Sequence, residues 1–143
     1  MANYRTRISS SWSPTDLLTY MARFSNAASW DPGVSGAEEL QPGPPAVGST
    51  YRLQVVSLGR SIALDYRIIE LDEGRRVVLQ AENTWLRSTD VIEVASAPDG
   101  GSTLSYDASL TLRGPLSVLS PVLQRPLNRL GEQAAVGLRA AVA

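Results

Sequence analysis

The sequence contains no cysteine, no histidine and no lysine, and these absences exclude more chemistry than any single motif specifies. Without cysteine and histidine the chain has no disulfides, thiolate nucleophiles, Cys/His zinc sites or histidine-based triads. Without lysine it has no Schiff-base chemistry, and its 13 cations are all arginine, which is typical of a GC-rich genome. Any acid–base step must therefore use carboxylates, tyrosine phenols or ordered water, and we predict neither a metal site nor a cofactor.

Strong net charge and long apolar runs are also missing. The formal net charge is −1, and the arginines are scattered among 14 acidic residues, so we predict no nucleic-acid partner. No stretch approaches the roughly 18 uncharged apolar residues of a membrane span. The N-terminus MANYRTRISSSW has no apolar signal region, so we expect a cytoplasmic protein. A length of 143 residues suits one domain, residues 1–143, built around one core.

The first third of the chain predicts a strand followed by two short helices. Weak alternation over residues 5–12 predicts the strand. Ser13 and Pro14 form an N-cap and first-position pair, and the helix that they start carries Leu17, Leu18 and Met21 inward. A second helical turn over residues 26–30 should end at Asp31, because the residue before a proline is pushed out of helical geometry.

From Val34 onward the apolar period is two, which predicts five or six antiparallel strands. The clearest strand is residues 104–112. Turn signals separate the strands at residues 41–45, 58–59, 72–74, 83 and 99–101. A continuous stripe of leucines and alanines from Leu116 to Ala141 predicts a terminal helix that covers the sheet. Its main part should start at Ser120-Pro121, run for about 22 residues, and be kinked at the interior Pro126.

This order of elements resembles the START-like superfamily, also called Bet v 1-like or SRPBCC, and within it the polyketide cyclase/dehydratase-type branch common in actinobacteria. The resemblance runs nearly end to end and rests on five segments. They are Ser-Pro-Thr-Asp-Leu-Leu at 13–18, the Trp-Asp-Pro-Gly within 25–34, Val-Gly-Ser-Thr-Tyr at 47–51, Gly-Gly-Ser-Thr at 100–103, and Arg-Gly-Pro-Leu at 113–116.

The resemblance implies an α+β helix-grip fold. A curved antiparallel sheet of six or seven strands should wrap around the long C-terminal helix, with two short helices after the first strand. It also implies a cavity between sheet and helix that binds a hydrophobic or aromatic small molecule, in a monomer or weak dimer. Two alternatives stay open: a cofactor-free polyketide cyclase or dehydratase, and a protein-interaction role such as a toxin–antitoxin component. Whether the chain is an enzyme is left undecided.

Asp90 is the candidate catalytic residue. If the strand over residues 86–94 keeps strict alternation with its apolar members inward, Asp90 faces the cavity, where burial would raise the pKa of its carboxyl and suit it to acid–base work. A bulge or a one-residue slip would instead leave Asp90 in solvent and turn Arg87 inward. Asp90 could also simply pair with an arginine. We expect Arg87 to be a surface residue.

The candidate ligand-binding residues lie on predicted inward faces or beside the cavity mouth. Tyr51, Tyr66 and Tyr106 could orient a ligand oxygen or could be ordinary core aromatics. Trp30 is expected to close one end of the core and also present an edge to the ligand. The full set is Phe24, Trp30, Tyr51, Leu64, Tyr66, Ser88, Tyr106, Leu110, Leu127 and Leu130.

Overall fold

A computed structural model describes residues 1–57 and 59–143 of the chain. Seven strands form one sheet: β1 (Ala2–Ser10), β2 (Val34–Glu39), β3 (Thr50–Ser57), β4 (Arg60–Asp72), β5 (Arg76–Glu82), β6 (Leu86–Ser96) and β7 (Ser102–Leu112). The helices are α1 (Pro14–Ala22), α2 (Ala27–Trp30) and α3 (Gln124–Ala141), with 3₁₀ segments at Phe24–Asn26 and Gly114–Leu123. Of the predicted turns, the one at residues 58–59 includes Leu58, which lies outside the described residues.

The sheet is antiparallel throughout and its strand order is β1-β7-β6-β5-β4-β3-β2. Consecutive strands from β2 to β7 pair as hairpins, and β1 joins the far edge against β7. A register shift between Ile68 and Glu70 interrupts the alternation of β4, so that Ile69, which is 47% exposed, and Glu70 both face outward. The curled sheet holds the C-terminal helix on its inner face, so the predicted helix-grip fold is confirmed.

The start of α1 follows the predicted capping pattern. Ser13 is the N-cap, its Oγ accepts a hydrogen bond from the backbone N–H of Asp16 at 3.2 Å, and Pro14 occupies the first turn. The short helix α2 ends where predicted, because Asp31 takes extended geometry before Pro32. These two helices close one end of the curled sheet with a buried cluster that includes Leu17, Leu18 and Met21.

The terminal helical segment departs from the prediction at its start. Its first ten residues, Gly114–Leu123, are 3₁₀, and the 18-residue α-helix α3 begins only at Gln124. The predicted start at Ser120-Pro121 is therefore wrong: the Ser120 side chain is fully buried, and its Oγ accepts from the backbone N–H of Leu112 at 2.9 Å. Pro126 consequently lies in the first turn of α3, where its missing N–H breaks no helical hydrogen bond, so the interior position on which the predicted kink depended is wrong.

The leucine stripe is only partly buried. Leu116 and Leu119 are 40% and 48% exposed in the 3₁₀ segment, whereas Leu138 near the end of α3 is 1% exposed. The prediction that the whole stripe is core is therefore wrong for its first turns. Helical periodicity identified the correct face of α3 but could not show where the segment leaves the sheet.

Two glycines of α3 set how closely the helix approaches the rest of the molecule. A Cβ at Gly131 would lie 2.5 Å from the ring of Tyr4, and a Cβ at Gly137 would lie 1.9 Å from the backbone oxygen of Trp30. Both distances are shorter than any real carbon contact, so only glycine permits this packing. Within the described residues, no helix has the length and apolar character needed to cross a membrane.

Candidate ligand-binding site

A cavity of about 310 Å³ lies between the inner face of the sheet and α3. Strands β3, β4, β6 and β7 form its floor, α3 forms its roof, and the short helices border it on one side. Most of its lining is apolar or aromatic. Ten of the eleven predicted site residues line it: Phe24, Trp30, Leu64, Tyr66, Ser88, Asp90, Tyr106, Leu110, Leu127 and Leu130.

Asp90 lies on the inward face of β6. β6 pairs with β7 from Leu86 to Ser96 without a register shift, and it pairs with β5 over residues 87–93 without one. The alternation of inward and outward side chains along β6 is therefore preserved. Ser88, Asp90 and Ile92 therefore all point inward, with exposures of 8%, 7% and 0%. The alternative of a slipped register does not occur.

The carboxyl of Asp90 is held by Tyr106 on the adjacent strand. The Tyr106 hydroxyl donates a hydrogen bond to Asp90 Oδ2. Burial raises the pKa of Asp90 to about 7, and nearby negative charge adds to this effect, while the hydrogen bond from Tyr106 opposes it. Burial also raises the pKa of Tyr106 well above its ordinary value, so the phenol stays protonated and serves as a donor.

Tyr66 and Ser88 form a second polar pair on the cavity floor. Their hydroxyls are hydrogen-bonded to each other at 2.8 Å, although their strands β4 and β6 are separated by β5. Ala81 on β5 pairs with Ser88 and is fully buried, and its small side chain leaves room for the phenol to reach across. Burial raises the pKa of Tyr66, so this hydroxyl is also neutral.

Asp31 is a lining residue that the sequence reasoning missed. It ends α2, and its Oδ1 accepts a hydrogen bond from the backbone N–H of Gly33 at 2.8 Å. Burial raises the pKa of this carboxyl, and its charge in turn raises the pKa of Asp90. An aspartate at this position is already explained by the turn before Pro32. The sequence therefore carried no separate signal that Asp31 also lines the cavity.

Comparison with known proteins identifies the family. Residues 1–143 match the family described as "Polyketide cyclase / dehydrase and lipid transport". The chain belongs to this family. None of the curated proteins matches it in sequence.

Solved structures with the same fold come from several bacteria. A START superfamily protein from Mycobacterium smegmatis is 15% identical with a TM-score of 0.79, covering 99% of this chain and 97% of that one. A protein from Thermus thermophilus is 14% identical with a TM-score of 0.77, covering 98% and 96%. The Zhui aromatase/cyclase from a Streptomyces species is 14% identical with a TM-score of 0.74, covering 98% and 90%. At these identities the structures establish the fold that the polyketide cyclase/dehydrase family shares.

Tyr51 is the one predicted site residue that does not line the cavity. It faces inward and is 2% exposed, but it lies at the start of β3 beside the 3₁₀ turn of Phe24–Asn26, where the core is filled. Its placement as a lining residue is therefore corrected: it is a core aromatic. Arg87 points outward, is 50% exposed and pairs with Glu82, as expected.

A larger depression of about 670 Å³ lies away from the cavity, beside the start of α1. Its lining includes Arg75, Arg76 and Glu93, and these charges already pair with acidic or basic neighbours. An open depression lined by charged side chains offers less to an apolar ligand than the mainly apolar cavity does.

Proposed function

We propose that this protein binds a hydrophobic or aromatic small molecule in the cavity between the sheet and α3. The observation that carries this proposal is the cavity itself, whose volume of about 310 Å³ is at the lower end of the range for small-molecule sites. Its walls are mainly leucine, alanine and aromatic side chains, and a few convergent polar groups could fix the orientation of a ligand. Membership of a family described by cyclase, dehydrase and lipid-transport activities supports the same conclusion.

Binding of a neutral fluorescent probe tests this function. N-phenylnaphthylamine should gain fluorescence on entering the cavity of the wild-type protein. Ala108→Trp should abolish the gain, because Ala108 lines the cavity and a tryptophan there fills it. Thr111→Trp lies on the same strand but on the opposite face, opposite the outward Arg87, and should bind normally. Equal binding by both variants would show that the probe does not occupy this cavity.

Native mass spectrometry of freshly purified protein provides an independent check. An apolar ligand retained from the host should appear as an additional mass that is absent from Ala108→Trp. A wild-type protein that is always empty and that also fails to bind the probe would contradict the proposal.

The Asp90–Tyr106 pair favours a second function, cofactor-free cyclisation or dehydration of a polyketide-like substrate. A carboxyl with a pKa of about 7 can accept a proton as carboxylate and return it as acid near neutral pH. In a dehydration, Asp90 would remove the proton next to a carbonyl and then protonate the departing hydroxyl, which leaves as water. The Tyr106 hydroxyl would hold the carboxyl in place throughout.

The variant Asp90→Asn separates the two functions. It should bind N-phenylnaphthylamine like the wild type, because the amide keeps the size of the side chain. If the protein is an enzyme of this type, the variant should lose turnover of a poly-β-ketone substrate. Unchanged turnover would remove Asp90 from the mechanism.

A further inference from the structure

The charged groups of the cavity are all of one sign. Asp31 and Asp90 both line it, and none of the described lining residues is an arginine. Neither carboxyl takes part in an ion pair among the described residues, where the ion pairs all lie on the surface. The cavity therefore contains two potential negative charges without a protein cation to balance them.

Each carboxyl also has an oxygen that is free to meet a ligand. Asp31 uses Oδ1 to accept from Gly33, and Asp90 uses Oδ2 to accept from Tyr106. Within the described part of the chain, the other oxygen of each accepts no protein hydrogen bond. Neither of these oxygens is a fully buried atom without a partner, so each keeps some accessible surface, and both residues line the cavity. A ligand donor is the partner that such oxygens lack.

Aromatic rings surround the same space. Trp30 and Tyr106 pack edge to face with ring centroids 6.0 Å apart, and Phe24 and Tyr66 do so at 5.0 Å. All four rings line the cavity. Ring faces attract cations, and the attraction is stronger in a site from which water is excluded.

From this arrangement we infer that the cavity selects an amphipathic amine, a ligand with an apolar or aromatic body and one protonated nitrogen, over a carboxylate of the same size. The inference rests on the proposed function and adds to it the chemical class of the ligand. The ammonium group can donate to the free oxygens of Asp31 and Asp90 and lie against the aromatic faces. A carboxylate would instead add its own negative charge beside these two carboxyls, where unpaired like charges repel.

Three probes with one apolar body and different head groups test this inference: naphthylethylamine, naphthylethanol and naphthylacetate. Isothermal titration calorimetry at neutral pH should rank their affinities as amine, then alcohol, then carboxylate. We expect at least about a tenfold difference in Kd between the amine and the carboxylate, which is close to one charge interaction across a few ångströms even when it is screened almost as strongly as in water.

Variants locate the source of the preference. The double variant Asp31→Asn with Asp90→Asn should bind the amine no more tightly than the alcohol, while its affinity for the alcohol stays near the wild-type value. The matched control Asp65→Asn removes a carboxylate from the outer face, where it pairs with Arg52, and should keep the full preference for the amine. Thermal unfolding of each variant verifies that it is folded.

The outcomes separate this inference from the function on which it rests. If the alcohol and the carboxylate bind the wild type as tightly as the amine, the cavity binds ligands but does not select amines, and the inference is overturned. If the preference survives in the double variant, the two carboxyls are not its cause and the inference also fails. If none of the three probes binds, the proposed binding function fails first.

Discussion

Replacing Asp90 with asparagine should change the free energy of unfolding by an amount that grows with pH. Burial raises the pKa of this carboxyl from 3.8 to about 7 in the native state. In the unfolded chain the group ionises near its ordinary value of about 3.9. Between these two values the native state binds one proton more than the unfolded state. The contribution of Asp90 to stability is therefore complete below about pH 4 and is lost as the pH rises towards 7.

The size of the effect follows from the width of this window. Each pH unit within it corresponds to about 1.4 kcal/mol. Integrated from about pH 5 to about pH 8, the loss of stability due to Asp90 is about 2–3 kcal/mol. Asparagine does not titrate, so the unfolding free energy of Asp90→Asn minus that of the wild type should rise by this amount over the same range. For a chain of this size, the corresponding difference in Tm changes by about 10 °C.

Urea unfolding followed by tryptophan fluorescence, at several pH values and constant ionic strength, measures this difference. Subtracting the wild type cancels the groups that titrate alike in both proteins, which excludes Asp31, because its charge is coupled to that of Asp90. Asp65→Asn is the control: its carboxylate is exposed and paired with Arg52, so its removal should not give a difference that rises with pH. A difference for Asp90→Asn that stays constant from pH 5 to pH 8 would refute the reasoning, because it would mean that the buried carboxyl ionises as it does in water.

Three further substitutions test the packing around the cavity by chemical denaturation. Trp30→Ala should lower the free energy of unfolding by about 3–5 kcal/mol, since Trp30 is 6% exposed. A decrease below about 1 kcal/mol would show that the ring lines the cavity without supporting the core. Gly137→Ala should lower the free energy of unfolding by about 1–3 kcal/mol, because overpacking outweighs the better helix propensity of alanine. Gly36→Ala is the control and should be close to neutral, because a Cβ there would have nothing within 4 Å. Ser120→Ala should lower the free energy of unfolding by about 1–3 kcal/mol because it removes the fully buried acceptor of the partly buried Leu112 N–H. The exposed Ser117→Ala is the comparison, and equal losses at the two serines would argue against that hydrogen bond.

The inward position of Asp90 could be predicted because it depends only on alternation within one strand. β6 keeps its register with both neighbours, so the parity of its apolar residues determines the parity of Asp90 as well. Its hydrogen bond to Tyr106 could not be predicted in the same way. That contact joins two strands diagonally, since Asp90 pairs with Ala108 and Tyr106 with Ile92, and it depends on the register between them.

The incorrect predictions share a physical cause: the same local sequence pattern is compatible with two different structural roles. Asp31 fits a turn before Pro32 so well that its local pattern offers no reason to look for a cavity carboxyl there. Ser120-Pro121 matches a helix start, but the serine oxygen accepts from the backbone N–H of Leu112 instead, and α3 begins after Leu123. Tyr51 has the inward parity of a lining residue, and only the extent of the core shows that the cavity does not reach it.

The glycine contacts of α3 mean that the height of the cavity and the chemistry of its walls depend on different residues. Gly131 packs on the ring of Tyr4 in β1 and Gly137 on the backbone of Trp30 in α2, so two close contacts set the position of the helix above the cavity. Exchanging a lining residue such as Leu127 or Leu130 would change the shape of the wall without lifting the helix. Adding one methyl group at either glycine would push α3 away from the residue that it contacts. Relatives that keep both glycines can therefore diversify their ligands through wall residues at constant cavity height, whereas loss of either glycine would change the height for every ligand at once.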